Sequence, residues 1–424
     1  MLQHLNITFL STITLLISLL FQASIIKNFS LGIDLDLFYT SIAAPGFISG
    51  LALGVYNQIF IARLSNSNYQ QGNEKDFFSF IFFTALILCI LFIAVTSNVV
   101  YQLTIKNTYI NSLITLGWLF CLIQILLISL LCILKSKEHF YKSIIINWSP
   151  NLLTIVCIFF NQKALDAFWV LTIIVIGNLI SVIISYFYIH KIIRHLFIRK
   201  ITTIINLAQL KHFLSLLSKK VTIAILCSIP FTAVYFLDSI IAPKYGAGFL
   251  SIITISNKII GITSAIFLSS ILVKISTNGS RKLRDKGIDA YAQYSKKIVL
   301  IAFAISLFLI LVFYLSFNLL SMTLNFLNII SLAESQLLFP VLIVMLPGMA
   351  AMLASSVLLR LIFIIEFSSL PLILFSLGWP LMYLFLDLCL KDHFEFPLPY
   401  AFSFTWLLLS LLLSVTFFRD LRNQ

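Results

Sequence analysis

Long runs of apolar residues, separated by short polar segments, follow one another along the whole chain. Each run holds roughly 20 residues, which is the length that a helix needs to cross the hydrocarbon core of a bilayer. Because the runs are continuously apolar and show no alternation, membrane-spanning strands are not expected. The pattern predicts twelve membrane-spanning helices, at residues 5–26, 38–62, 77–103, 110–134, 144–162, 167–190, 221–242, 248–273, 297–321, 336–359, 362–387 and 399–418.

Composition supports a membrane protein and excludes several other classes. Of the 424 residues, 60% are hydrophobic and 10% are charged, and the mean hydropathy is +1.06. A soluble globular domain is about 25% charged, so this chain lacks the polar surface of a soluble enzyme or a nucleic-acid-binding module. The six cysteines lie in or beside apolar runs without metal-ligand spacing, and they are interpreted as packing residues. No metal, no cofactor and no nucleic-acid partner is expected.

The distribution of basic residues predicts the orientation of the chain. The formal net charge is +13, from 28 Lys and Arg against 15 Asp and Glu. With the N-terminus in the cytoplasm, 22 basic residues fall in cytoplasmic connections, five fall in outer loops and one, Lys258, falls within a span. Loops rich in Lys and Arg remain on the cytoplasmic side. Both termini are therefore predicted to be cytoplasmic.

The longest connection divides the predicted spans into two sets of six. The expected domains are a six-helix lobe at 1–190, a basic cytoplasmic linker at 191–220 and a second six-helix lobe at 221–424. A shift of 211 positions superimposes aromatic, glycine, basic and serine positions of the second and eighth spans. This match indicates a parallel repeat, which is common in transporters. The linker begins with the pattern of a helix that lies on anionic lipid, although a plain connection between the lobes is the simpler interpretation.

Four polar residues within or beside the spans are the candidates for substrate binding. Lys258 lies about ten residues into the eighth span, where a cation costs on the order of 2.5–3.5 kcal/mol, so it should face a cavity or a partner. It is interpreted as a docking point for an anionic group such as a diphosphate, or as half of an ion pair with Asp238. Asn257 is an uncharged polar residue of the same span. Asp36 lies at the outer mouth of the second span, where it contacts a sugar or a cation, or is simply solvated.

The second span also carries a proline followed by glycines at four-residue spacing. These residues are Pro45, Gly46, Gly50 and Gly54. Small residues on one face allow a neighbouring helix to approach closely, and a proline can kink a helix. The stretch is therefore interpreted as a packing face or, alternatively, as a flexible gate.

Two stretches of the sequence resemble a known transporter superfamily. The second-span region of the lipid II flippases and their relatives is similar to FSLGIDLDLFYTSIAAPGFISGLALGVYNQIFIARLS, and the matching region of their second lobe is similar to PFTAVYFLDSIIAPKYGAGFLSIITISNKIIGITSAIF. These proteins form part of the multidrug/oligosaccharidyl-lipid/polysaccharide (MOP) exporter superfamily. The resemblance implies twelve helices in two lobes around a central cavity, and the flipping of polyprenyl-diphosphate-linked sugars. It also implies that Lys258 is the cation of the cavity and Asp238 the characteristic acid.

The sequence departs from the lipid II flippases in two respects. Phe47 and Ile48 stand where those proteins carry further arginines, and the chain has no counterpart of their two additional C-terminal spans. The leading hypothesis is therefore an alternating-access flippase for a surface-polysaccharide or cell-wall precursor in the bacterial cytoplasmic membrane. Its expected partners are the lipid-linked sugar, membrane lipids and polysaccharide-assembly enzymes.

Two alternatives stay open. A cation-coupled multidrug or small-molecule exporter of the same superfamily needs an acid within the membrane, for which Asp238 and Glu366 are the candidates. A non-transporting scaffold of a polysaccharide synthase complex would not need Lys258. An enzyme is not expected, because the chain has neither a Gly-x-x-x-x-Gly-Lys-Ser/Thr phosphate-binding loop nor a long outer loop to hold two substrates.

Overall fold

The computed structural model of the protein describes residues 2–61, 72–104, 108–137, 139–161, 164–197, 221–326, 331–365 and 369–423, together with residues 64 and 215. In this part of the chain all regular structure is helical, which confirms the predicted all-helical class. The helices are α1 (Leu2–Phe29), α2 (Ile33–Val55), α3 (Gly72–Thr104), α4 (Thr108–Ser136), α5 (Phe140–Ile146), α6 (Ser149–Phe160), α7 (Ala167–Phe197), α8 (Thr222–Ile241), α9 (Phe249–Phe326), α10 (Leu332–Ile365), α11 (Ser369–Leu390) and α12 (Pro397–Asn423). A π-helical turn at Tyr56–Phe60 extends α2, and a 3₁₀ turn at Ala242–Tyr245 follows α8.

The lengths and hydropathies of these helices are those of a polytopic membrane protein. Within the described residues, ten segments are long and apolar enough to cross a membrane. Two shorter apolar helices, Leu16–Phe29 and Phe249–Gly261, lie in α1 and α9. The prediction of a multi-pass membrane protein is therefore confirmed.

The fifth predicted span, at 144–162, is divided into two helices in the structure. The division falls between α5 and α6, where Pro150 occupies the first turn of α6. Proline has no N–H to donate to the carbonyl of Ile146, four residues earlier. The hydroxyl of Ser181 on α7 donates to that carbonyl instead, at 3.0 Å. A neighbouring helix thus supplies the hydrogen bond that proline removes.

The eighth and ninth predicted spans are joined through helical structure rather than through a loop. The polar connection at 274–297 is helical, and within it Ile275 and Tyr291 are buried while Lys282 and Lys286 are exposed. The helix is broken at Gly287, whose φ of 79° and ψ of −173° are not helical. Glycine adopts a positive φ at little cost because it has no Cβ. The break therefore depends on this residue type.

The described chain separates into two compact units, 1–228 and 229–424. The boundary between them falls inside α8. Most of the predicted linker at 191–220 lies outside the described residues. The division into six spans plus six therefore stays a prediction.

In the first unit, the proline of α2 creates a close contact with α4. Pro45 cannot donate to the carbonyl of Ser41, so that oxygen lacks its helical partner. Gly117 of α4 lies directly against it: a Cβ on Gly117 would overlap the Ser41 carbonyl oxygen and lie 3.0 Å from its carbon. The thiol of Cys121, one turn further along α4, donates to the carbonyl of Pro45 at 3.0 Å. α2 and α4 are thus joined where the α2 backbone is interrupted.

The glycines of α2 occupy different environments. A Cβ on Gly46 would meet no atom within 4 Å, whereas a Cβ on Gly54 would overlap the hydroxyl of Ser228. Gly50 lies between them along the same helix. The four-residue spacing therefore does not make one uniform contact face, because Gly54 is closely packed and Gly46 is not.

In the second unit, α10 packs against α9 and α12, and α11 packs against α12. Pro347 interrupts the backbone hydrogen bonds of α10. A serine of α12 bonds to backbone groups of α10 on either side of this proline. The hydroxyl of Ser403 accepts from the N–H of Gly348 at 3.2 Å and donates to the carbonyl of Val344 at 2.6 Å. A side chain inserted between these two groups is a known cause of a helix kink. It also fixes α12 against α10.

We expect Gly117→Ala to destabilise the protein by about 1–3 kcal/mol, because the added methyl group has to displace the Ser41 carbonyl in a packed interface. Gly46→Ala is the matched control on the facing helix, since open space surrounds that position. Alanine is a better helix former than glycine, so the control should be neutral or slightly stabilising. Denaturant unfolding of the purified variants measures both, and equal stability for the two would contradict the contact.

Candidate functional site

Of the described acids in the second unit, the most completely buried is held between three helices. Asp238 lies near the end of α8 and its side chain has no solvent exposure. The hydroxyl of Tyr383 on α11 donates to Oδ1 at 2.5 Å, and the amide of Asn257 on α9 donates to Oδ2 at 2.7 Å. Burying a carboxylate away from water is costly unless donors replace the lost hydration. Two neutral donors from two other helices fulfil that requirement here.

A second tyrosine–aspartate pair lies one helical turn further along α11. The hydroxyl of Tyr245, in the 3₁₀ turn after α8, donates to Oδ1 of Asp387 at 2.8 Å. Asp387 follows Tyr383 by four residues, which is a rise of about 6 Å on the same helix face. Lys244 and Lys391 lie within electrostatic range of Asp387. The Tyr245–Asp387 pair is therefore near positive charge, whereas Asp238 is hydrogen-bonded only to the neutral groups of Tyr383 and Asn257.

These residues continue a polar stripe along α11. Ser376, Trp379, Tyr383 and Asp387 recur at three- and four-residue spacing, so they share one face of the helix. The rings of Trp379 and Tyr383 are stacked with their centroids 5.1 Å apart, and Trp379 also lies 5.4 Å from the ring of Trp406 on α12. The stripe is therefore enclosed by aromatic rings rather than open to solvent.

Several polar atoms of this region are buried without a hydrogen-bond partner in the described part of the chain. They are Oγ of Ser376, Nε1 of Trp379, Oγ1 of Thr405 and Nε1 of Trp406. A buried donor without an acceptor costs about 1–3 kcal/mol. Buried polar groups in native proteins are nearly always satisfied by protein, water or ligand. Four such atoms lie on α11 and α12, on the same two helices as the Trp379–Trp406 ring contact.

Of the four predicted substrate-binding residues, two are in direct contact. Asp238 and Asn257 share the hydrogen bond described above. Lys258 follows Asn257 on α9 and is half-buried. Because consecutive residues of a helix point about 100° apart, the structure brings Asn257 rather than Lys258 to the carboxylate. Asp36 lies in the first turn of α2 in the other unit, and its side chain is half-buried.

The sequence did not predict Tyr245, Tyr383 or Asp387 as residues of this site. Tyr383 and Asp387 lie in or at the edge of an apolar run, where a tyrosine gives no periodic signal of a polar role. An acid four residues after a tyrosine near the end of a predicted span was the available signal. Glu366, the other acid considered for coupling, lies outside the described residues.

Metal binding by clustered side chains is not indicated in the residues that the structure describes. No group of three or more His, Cys, Asp or Glu side chains lies close enough to hold a metal ion there. The six cysteines form no disulfide bond in the described structure, and Cys121, Cys132 and Cys227 are buried.

As regular structure the described residues form only helices, and their membrane-length helices, proline-interrupted spans and hydrogen-bonded buried acid have the architecture of a multi-pass membrane protein. Solved structures of transporters share the fold of this chain. The structure described as lipid II flippase MurJ, inward closed conformation, matches with a TM-score of 0.69 at 16% identity, over 97% of this chain and 87% of that chain. A MOP superfamily transporter from Pyrococcus furiosus matches with a TM-score of 0.63 at 12% identity, over 99% and 94% of the two chains.

A multidrug resistance MATE family transporter of the MOP superfamily, in an outward-facing conformation, also matches. Its TM-score is 0.58 at 10% identity, over 99% of this chain and 95% of that chain. No protein-family model and no curated protein matches the sequence. The comparisons therefore show the fold of MOP superfamily transporters, in agreement with the resemblance seen in the sequence.

We expect Tyr383→Phe and Asp238→Asn to be strongly non-additive, because the first removes the donor of the buried hydrogen bond and the second removes the charge from its acceptor. The coupling free energy of this double-mutant cycle should be about 1.5–3 kcal/mol, as for bonds to charged groups. That exceeds the roughly 0.6 kcal/mol average between membrane helices. Unfolding in detergent measures the four proteins of the cycle.

Tyr400→Phe is the matched control for this cycle. Tyr400 packs its ring on Phe394, with the centroids 4.2 Å apart, and does not contact Asp238. Its combination with Asp238→Asn should be additive within about 0.5 kcal/mol. Additivity of the Tyr383 cycle as well would show that the hydroxyl contributes nothing to holding the carboxylate.

Proposed function

We propose that the protein is a flippase that moves a polyprenyl-diphosphate-linked oligosaccharide, a surface-polysaccharide or cell-wall precursor, across the bacterial cytoplasmic membrane. The observation that carries the proposal is the fold shared with a lipid II flippase over 97% of this chain. The resemblance of residues 29–65 and 230–267 to that group of transporters supports it independently of the coordinates.

We propose that Lys258 binds the diphosphate group of the substrate. Lys258 lies on α9 directly after the residue that contacts Asp238, and it is half-buried within a helix long enough to enter the membrane. An ammonium group at such a depth is expensive unless it faces a polar cavity or a partner. An anionic lipid headgroup is a substrate that would favour retaining this cation. Asp36, Asp238 and Asn257 are proposed as contacts for the sugar. The last two would contact it as the hydrogen-bonded acid–amide pair beside Lys258.

The proposed mechanism is alternating access by two six-helix lobes, at 1–190 and 221–424, with both termini in the cytoplasm. The excess of basic residues in the predicted cytoplasmic connections supports this orientation. With the inside negative, outward movement of an anion is favoured by about 2.3 kcal/mol for each charge and 100 mV. The membrane potential therefore assists export of a diphosphate in the proposed direction. Proline-interrupted α2, α10 and α11 supply positions where helices bend.

We expect cells depleted of the protein to accumulate a polyprenyl-diphosphate oligosaccharide, measured by mass spectrometry of membrane lipids. The intact chain should reverse the accumulation, Lys258→Ala should not, and Lys258→Arg should reverse it in part because it keeps the charge. Lys286→Ala is the matched control, since Lys286 is exposed in the connection between the two spans of α9. It should behave as the intact chain does.

The assay separates the proposal from its alternatives. Full complementation by a stably inserted Lys258→Ala variant would contradict the assigned role of this lysine, and is the result that a non-transporting scaffold predicts. Unchanged lipid intermediates in cells without a redundant flippase would reject the lipid-linked sugar as the substrate.

A cation-coupled multidrug or small-molecule exporter is the second candidate, and the buried acid is the observation that favours it. Asp238 is held by neutral donors, so its charge is not cancelled by a basic partner among its hydrogen bonds. A membrane-embedded acid of this kind is suited to binding and releasing a cation. Efflux of fluorescent drugs that collapses with the ion gradient and with Asp238→Asn would support this function over the flippase.

A further inference from the structure

A shallow, open surface depression of about 450 Å³ lies along one face of the second half of α9, and the proposed function does not use it. It is lined by Gln293, Lys296, Lys297, Leu300, Ile301 and Ala304. These positions recur at three- and four-residue spacing, so they form one continuous face of the helix. We call this surface the lysine groove.

The lysine groove changes from polar to apolar along the helix axis. Its first turn is formed by Gln293, Lys296 and Lys297, and its second half by aliphatic side chains. The whole face rises about 16 Å from residue 293 to residue 304. Beyond the groove, the surface stays apolar and exposed at Leu307 and Phe308, which are 49% and 61% exposed. Such a gradient is that of a helix passing from the headgroup region into hydrocarbon.

Among the described residues, no acidic side chain is paired with either lysine of the groove. Both are exposed, and in the described part of the chain neither forms an ion pair or a hydrogen bond. Lys282, earlier on α9, differs because its ammonium lies 4.8 Å from the centroid of the Tyr294 ring. Asp289 precedes Lys296 by seven residues, about 10 Å along the axis, which is too far for a direct contact. Two adjacent charges are thus available to a ligand.

We propose that the lysine groove binds an anionic phospholipid of the surrounding membrane. Its phosphate lies between the ammonium groups of Lys296 and Lys297, and one acyl chain lies along Leu300, Ile301 and Ala304. The charge is complementary at the polar end, and the aliphatic end provides the contact that a free phosphate could not use. A zwitterionic headgroup brings its own cation and so gains less from the lysines. This inference is independent of the transported substrate.

Retention of lipids by the full-length protein in native mass spectrometry tests the proposal. The probes are phosphatidylglycerol and phosphatidylcholine with the same acyl chains, added to the delipidated protein at equal concentration. The protein should retain phosphatidylglycerol preferentially. Lys296→Gln together with Lys297→Gln should weaken that retention by about 25-fold, from about 5-fold for each lysine near an anionic headgroup.

Three further variants locate the binding. Lys282→Gln together with Lys286→Gln removes the same charge from exposed positions outside the groove and should leave retention unchanged. Replacing both groove lysines by arginine should preserve it. Ala304→Trp fills the aliphatic end at an exposed position and should weaken retention several-fold with the charge intact. All these side chains are exposed, so the variants should unfold like the parent protein.

Several outcomes would overturn the proposal. Equal retention of the two lipids would remove the role of charge, and equal losses in the groove and control pairs would reduce it to general basicity. An unaffected Ala304→Trp variant would exclude the acyl chain from the groove. Retention of a polyprenyl diphosphate in place of phosphatidylglycerol would assign the groove to the transported lipid instead.

Discussion

Inside a bilayer, each backbone N–H and C=O group needs a partner from the protein, and a proline within a helix leaves one carbonyl without its usual donor. In this fold, side chains of neighbouring helices form hydrogen bonds with the backbone groups beside the prolines. Ser181 donates to the carbonyl that Pro150 leaves free, and Ser403 bridges the ladder of α10 beside Pro347. Each interruption therefore joins two particular helices. At Pro150 and Pro347, an irregular position of a span is thus also a point of contact with a neighbouring helix.

The acid of the second unit follows the same principle with a charged group. Asp238 has no water to solvate it and is instead bonded by donors of α9 and α11, so three helices meet at one carboxylate. Asn257 contacts one carboxylate oxygen, and Lys258, the next residue of α9, is about 100° further around the helix. The acid thus holds three helices together, and binding of an anionic substrate by Lys258 is a separate proposal.

The sequence was sufficient for the class of fold because the length of an apolar run is itself a structural quantity in a membrane protein. It was insufficient where contacts join distant positions. The bond between Tyr383 and Asp238 connects residues 145 positions apart, and nothing in the periodicity of either helix predicts it. The division of the fifth span was in principle readable from Pro150, but the hydrogen bond that compensates it comes from α7. The sequence identifies Asn257 as a polar residue within a span, but only the structure shows that it is hydrogen-bonded to Asp238.

The break in α9 has a mechanical consequence. An uninterrupted helix of 78 residues would be a rod of about 117 Å, nearly four times the hydrocarbon thickness of a bilayer. Such a rod would transmit torsion from the segment bearing Asn257 to the segment bearing Lys296. At Gly287 the backbone leaves the helical conformation, so the two segments are not one continuous rod. A rotation at the buried acid network can then take place while the lipid-facing surface of the following span keeps its orientation.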